Sequence, residues 1–268
     1  MRKGTNKKIT LLIFSLLLSI ALSTLFIKRE ELVYLLPAKE PQNLRDLAYD
    51  RDKRLGYTVY VKEEGKLTPY MVLTKDYLDQ GNVLLLRQHL VNPPMSFREG
   101  WEEAYYGHSI PDSFMHKEFI KRFSKDVQKN IPSTELGINP SEVNARRGDI
   151  EKITRKLFLL SDIDVGKYKD KLRLEKDENL LYFKRKGGMK EGKLAFLENN
   201  STPYSWWLRT TFETDSSVAK VIDYEGKFGG NGVAYISYVR PAFTLPPDME
   251  IEEKEIDGQK NYVLKRDK

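Results

Sequence analysis

Apolar residues recur at every second position through Tyr57, Val59 and Val61, the spacing that lines one face of a β-strand. Gly65-Lys66 supplies a turn, and residues 67–74 and 83–89 read as two further strands. Asp79-Gln80-Gly81-Asn82 forms the hairpin turn between them. The period then changes. Over residues 112–130, Phe114, Met115, Phe119, Ile120, Phe123 and Val127 fall on one face of a predicted helix, which Pro132 ends. Residues 150–160 show no clear period beyond the short apolar run Phe158-Leu159-Leu160. Residues 218–224, 228–232 and 233–239 read as a terminal meander, with turns at Glu225-Gly226 and in Gly229-Gly230-Asn231-Gly232. Strands, then helices, then more strands predict an α+β domain rather than an alternating parallel sheet.

The longest apolar run precedes all of this. Residues 9–27, ITLLIFSLLLSIALSTLFI, contain no charge and as a helix would reach about 28 Å, close to the thickness of a bilayer core. Arg2, Lys3, Lys7 and Lys8 flank it on the N-terminal side with no acid among them. A basic flank stays in the cytoplasm, so the rest of the chain is expected outside a cell membrane. Two readings compete. The run is an uncleaved, single-pass signal anchor (a transmembrane helix), or it is a signal peptide cut near Ser23, which leaves a secreted protein. Leu25, Phe26 and Ile27, beyond the small residues Ala21-Leu22-Ser23, favour the anchor. Residues 28–56 are charged and carry Pro37 and Pro41, which reads as a stalk or entry segment. Residues 57–247 carry the globular pattern, and residues 248–268 read as a charged tail.

Charge changes the picture little. The formal net charge is +6, and removing the four cations of the N-terminal flank leaves +2 for residues 28–268. That does not argue for nucleic acid. The complete absence of cysteine excludes disulfides, thiolate metal sites, a cysteine nucleophile and a lipobox anchor. An exported chain without disulfides must rely on its core, and about 210 residues suffice for one.

The search for catalytic chemistry is mostly negative. His89, His108 and His116 show no metal-ligand spacing, and no metal or cofactor is expected. His108 and Asp112 would matter only if a further acid joined them in one cleft. The glycine-rich residues 187–194 approach a phosphate-binding loop but place Leu194 where a hydroxyl is needed. Ser217-Val218-Ala219-Lys220 spells Ser-x-x-Lys without the partner motifs of penicillin-binding enzymes. The acidic pairs Asp162/Asp164 and Glu102/Glu103 read as solvated carboxylates. No residue is assigned a catalytic role.

Two segments stand out instead. Ser205-Trp206-Trp207-Leu208-Arg209-Thr210 and Tyr238-Val239-Arg240-Pro241-Ala242-Phe243 each place an arginine inside an apolar, strand-like run. A desolvated guanidinium needs carboxylates or backbone carbonyls around it. Arg209 and Arg240 are therefore expected to be structural, with anion binding the competing role.

These segments also carry a resemblance. Val83-Leu84-Leu85-Leu86-Arg87, Tyr106–Asp112 (YGHSIPD), Phe158-Leu159-Leu160-Ser161, Trp206-Trp207-Leu208-Arg209-Thr210 and Tyr238-Val239-Arg240-Pro241-Ala242 stand in order across residues 57–247. Together they resemble a family of exported bacterial domains of unassigned activity marked by LLLR, FLLS, WWLRS and GVRPA segments. Thr210 replaces the usual serine, Tyr238 the usual glycine, and Asp164 a common glutamate. The Trp-rich and Val-Arg-Pro segments are also distantly similar to C-type-lectin-like domains, including the formylglycine-generating enzymes. That likeness implies a single mixed domain with a small twisted antiparallel sheet and flanking helices. It carries no activity, because lectin calcium motifs and the cysteines of the copper oxidases are missing.

Two function classes follow as expectations. The first is a membrane-anchored extracytoplasmic binding or interaction module for a cell-wall, glycan or protein partner. Its contact residues would be Trp206, Phe228, Tyr235 and Tyr238. The second is an extracytoplasmic enzyme, a hydrolase for example, with a His/carboxylate site not visible as a motif.

Overall fold

Every side chain of Val83-Leu84-Leu85-Leu86-Arg87 is buried, and the continuous apolar run has a simple cause. The strand is covered on both faces, so neither face needs polar residues. Val83 and Leu85 enter one hydrophobic cluster, Leu84 and Leu86 the other. Residues Trp206–Thr211 behave the same way: Trp207 joins the first cluster, Trp206 and Leu208 the second. These two doubly buried strands anchor the two large sheets.

The computed structural model describes residues 40–49, 57–140, 149–167, 180–185, 192–212 and 215–265, and residues 41–268 form one compact unit. The strands are β1 Thr58–Glu63, β2 Lys66–Thr74, β3 Val83–Arg87, β4 Val91–Ser96, β5 Thr134–Ile138, β6 Glu151–Arg155 and β7 Leu157–Phe158. They continue as β8 Trp206–Thr211, β9 Val218–Ile222, β10 Phe228–Gly232, β11 Ile236–Val239, β12 Ala242–Leu245, β13 Ile251–Ile256 and β14 Gln259–Leu264. A seven-stranded sheet runs β13-β14-β1-β2-β3-β12-β7, a five-stranded sheet runs β10-β9-β8-β11-β4, and β5 pairs with β6. The described helices are short: α1 Ile110–Lys117, α2 Lys125–Asn130 and α3 Leu181–Arg185.

The domain is thus mostly β, not the α+β, C-type-lectin-like arrangement of one small sheet with flanking helices that the sequence suggested. The over-reading of helix has an identifiable source. The apolar face over residues 112–130 is real, for Met115, Phe119, Phe123 and Val127 are all buried. The backbone nevertheless leaves the helix at Glu118 (φ −120°), passes through a 3₁₀ turn at Phe119–Arg122, and restarts at Ser124. The Ser124 hydroxyl accepts a hydrogen bond from the Val127 N–H at 3.3 Å, an N-cap that nucleates a new helix. Residues 151–155, unreadable by period, form β6.

Three other expectations shift. The closing strands are not a meander: β9 and β10 form a hairpin, but β11 pairs parallel with β8 and antiparallel with β4. Residues 251–264, expected as a charged tail, form the β13–β14 hairpin, and β14 lies parallel to β1 with Val59 opposite Tyr262. Part of the expected stalk also packs in the core, where Leu44 and Leu47 are fully buried. The apolar run 9–27 lies outside the described residues, and among those described no helix is long and apolar enough to cross a membrane.

Candidate functional site

The loop after β4 carries Trp101, and the turn between β10 and β11 carries Tyr235. The two rings meet edge to face, 5.6 Å apart and at 89°. Both are solvent-facing, Trp101 at 64% and Tyr235 at 59% exposure, with Ile236 beside them. Gly232 lies beneath them. A Cβ there would sit 2.8 Å from Trp101 Cζ3 and 3.0 Å from Tyr235 Cδ2. This glycine is needed for space, since its backbone does not require positive φ. The chain therefore seats two aromatics closely against a strand while leaving more than half of each exposed.

The other expected contact residues fall elsewhere. Trp206 is fully buried and its indole N–H donates to the Lys193 carbonyl at 3.1 Å. It cannot meet a surface partner, because β8 is covered on both faces. Phe228 is half-buried under Lys193, whose ammonium lies 4.8 Å from the ring centre. Tyr238 is half-buried and tilted against Tyr204 at 5.0 Å. Only Tyr235 of the four reaches open solvent, and its partner Trp101 was not singled out by sequence. The available signal was a tryptophan in a polar, glycine-flanked segment, Arg98-Glu99-Gly100-Trp101-Glu102-Glu103, with no apolar period to bury it.

The arginines are built into the interior. Arg209 is fully buried and its Nη1 donates to Asp164 Oδ2 at 2.7 Å and to the Leu159 carbonyl at 3.0 Å. Its Nε donates to the Gly137 carbonyl at 3.3 Å. Asp164 Oδ2 also accepts from the Tyr77 hydroxyl at 2.9 Å and the Ser161 N–H at 2.8 Å. The next residue of β8 points the other way: Thr210 donates to Asp162 Oδ1 at 3.0 Å, and Lys220 donates to Asp162 Oδ2 at 2.7 Å. Asp162 and Asp164, expected as solvated acids, are thus buried and paired with cations, Arg209 on Asp164 and Lys220 and Lys167 on Asp162. The FLLS-like and WWLRT-like segments are two halves of one buried polar clasp. Arg87 is paired likewise, its Nε 2.9 Å from Glu63 Oε1, with Tyr70 hydrogen-bonded to the same carboxylate. Burial, reinforced by the Glu63 carboxylate, pushes the Tyr70 phenol well above its ordinary range.

Arg240 is buried at the crossing from β11 to β12, where the chain leaves one large sheet for the other. Its Nε donates to the Arg87 carbonyl at 2.9 Å and its Nη2 to the Gln88 carbonyl at 3.3 Å. Its guanidinium lies 5.3 Å from the Trp206 ring centre. It lines a pocket of about 280 Å³ with His89, Tyr57, Tyr182, Leu194 and Phe196 among the walls.

His108 and Asp112 do share a cleft, of about 550 Å³, with Ser109, Ser113, His116 and Arg155. Ser109 caps α1 there by accepting from the Asp112 N–H at 3.2 Å. Arg155 holds both Asp112 oxygens, at 2.9 and 3.0 Å from its Nε. The His116 ring nitrogen Nδ1 lies 2.8 Å from the Asp112 carbonyl and 3.4 Å from its Oδ1. No second carboxylate lines the cleft among the described residues. The nearest acid in the network, Glu151, instead accepts from Tyr105 at 2.6 Å. Burial and that bond push the Tyr105 phenol up to about 12. Asp112 is thus committed to an ion pair rather than free to move protons. Among the described residues no group of three or more His, Asp or Glu is placed to hold a metal ion.

No curated protein and no solved structure matches the chain. A family model matches residues 80–247, a span that takes in Asp162, Asp164, Arg209 and Lys220, the aromatic corner and Arg240 but not β1, β2, β13 or β14. On that match the chain belongs to the family described as Domain of unknown function (DUF6273).

Proposed function

We propose that this domain is an extracytoplasmic binding module that meets a cell-surface glycan through the corner formed by Trp101 and Tyr235. Its location outside the membrane rests on the apolar run 9–27 and its basic flank. The observation that carries the binding reading is the exposed ring pair held against Gly232. A pyranose has an apolar C–H face and a hydroxyl rim. One ring of a right-angled pair can stack on that face while the other closes its edge. The enzyme reading is less well supported, because the cleft holding His108 and Asp112 has its carboxylate occupied by Arg155.

The three tryptophans make the test direct. Trp206 and Trp207 are fully buried, so emission that acrylamide quenches comes from Trp101. Titrating the full chain with chitotetraose should shift that emission to the blue and protect it from the quencher. Trp101→Ala should weaken binding at least tenfold with little change in melting temperature, because an exposed ring contributes little to folding. Gly232→Val should impair binding by displacing both rings. A Trp101→Ala protein that binds chitotetraose as well as the parent, or a parent that does not bind it at all, would overturn the assignment.

A further inference from the structure

Three arginines are buried among the described residues: Arg87, Arg209 and Arg240. Arg87 is matched by Glu63 and Arg209 by Asp164. The half-buried Arg155 is matched by Asp112. Arg240 alone of the buried three has no carboxylate partner among the described residues, and its Nη1 has no hydrogen-bond partner there. Two backbone carbonyls, the Met71 thioether at 3.2 Å and the Trp206 ring surround it. These are dipoles and a quadrupole, not a counter-charge. A guanidinium does not shed its proton at ordinary pH, so burial without a counter-charge is costly. Burial lowers the Arg240 pKa to about 10, with only the Tyr182 phenol acting against it.

Arg240 is also among the residues that line the 280 Å³ pocket, and no acid lines it among the described residues. Thr58, Gln88 and His89 also line it, and the His89 ring nitrogen Nδ1 is enclosed without a hydrogen-bond partner among the described residues. Burial holds His89 toward its neutral form, and the Arg87 and Arg240 charges add to that. Glu198 opposes them from an exposed position, and the Phe196 carbonyl accepts from the ring. The remaining walls are largely aromatic and aliphatic, from Tyr57, Tyr182, Leu194 and Phe196.

We infer that this pocket binds a small organic carboxylate, with the charged head on Arg240 and an apolar body against the aromatic walls. The volume is just below the range of drug-sized sites, which begins near 300 Å³, so it suits a molecule of roughly ten heavy atoms. One uncompensated cation beside a neutral histidine matches a single negative charge. A phosphate dianion would remain half-neutralised by a single guanidinium, which disfavours it. Nε and Nη2 are already committed to carbonyls, so a two-pronged phosphate clamp is not available either. The pocket shares no residue with the Trp101–Tyr235 corner, and neither assignment depends on the other.

Benzoate is a suitable probe, with benzamide as its neutral counterpart and inorganic phosphate as the alternative head group. Calorimetric titration of the full chain should give benzoate a Kd at least tenfold lower than either comparison compound. Arg240→Gln should weaken benzoate at least tenfold. Because that variant also removes a buried group that holds two carbonyls, Gln88→Glu gives an independent reading. Gln88 is exposed and lines the pocket, so a glutamate there would supply the missing carboxylate from within the chain. Its expected result is a higher melting temperature together with loss of benzoate binding. Equal binding of benzamide and benzoate, tighter binding of phosphate, or undiminished benzoate binding by Gln88→Glu would overturn the inference.

Discussion

Replacing Arg209 with methionine is expected to cost about 3–5 kcal/mol of folding stability, the range for removing one partner of a buried ion pair. The loss falls on three groups at once. Asp164 would keep its charge but lose the guanidinium that faces it, and the Leu159 and Gly137 carbonyls would each lose a donor. Asp164→Asn keeps the shape and an acceptor for Tyr77 but removes the carboxylate charge 2.7 Å from Arg209, so it too should be strongly destabilising. The double variant, Arg209→Met with Asp164→Asn, buries no net charge. It should be less destabilised than the sum of the two singles by more than about 1 kcal/mol. Urea unfolding of the four proteins measures this coupling. Additive single effects, each below about 1 kcal/mol, would mean that the pair does not hold β8 to the loop after β7. The prediction is large because domain stabilities are only about 5–15 kcal/mol.

How much of this was legible in the sequence varies by element. Val59 and Val61 announced β1 by alternation, and both are fully buried. Residues 83–89 and the Trp206–Thr210 run announced strands, and Arg209 announced a buried partner. Which partners could not be read. Asp164 precedes Arg209 by 45 residues and Glu63 precedes Arg87 by 24, and no local pattern encodes such pairings. Asp162 and Asp164 looked like solvated acids because nothing in residues 161–165 shows that β8 and β9 close over them. The helix over 112–130 failed for another reason. Its apolar spacing satisfied the core whether or not the backbone stayed helical, and the Ser124 cap was the overlooked stop-and-restart signal. Trp101 lies where no period exists, and the Arg240 pocket gathers residues from Tyr57 to Arg240. Sites of that kind become visible only once the chain is folded.

The last twenty residues were the least legible, and they carry the second large effect. Ile251–Ile256 reads IEEKEI and exposes Lys254 and Glu255, as an edge strand should, because charge on a free edge discourages pairing with other chains. Behind that edge, β14 fills the parallel position beside β1, and Ile251, Val263 and Leu264 are buried. Met249 also accepts from the Leu44 N–H at 2.9 Å, which ties the first described turn to the last hairpin. A chain ending at residue 247 would retain the whole family-matched span, residues 80–247. It is nevertheless expected to lose roughly 4–9 kcal/mol from those three apolar side chains, at about 1.5–3 kcal/mol each, before counting the backbone bonds to β1. At about 2–4 °C per kcal/mol for a chain of this size, its melting temperature should fall by at least about 8 °C. The newly bared β1 edge should also make it prone to aggregate. Calorimetry and gel filtration of the truncated and full chains decide the matter. A truncated protein that stays monomeric and melts within about 2 °C of the parent would show that β1 holds without β14.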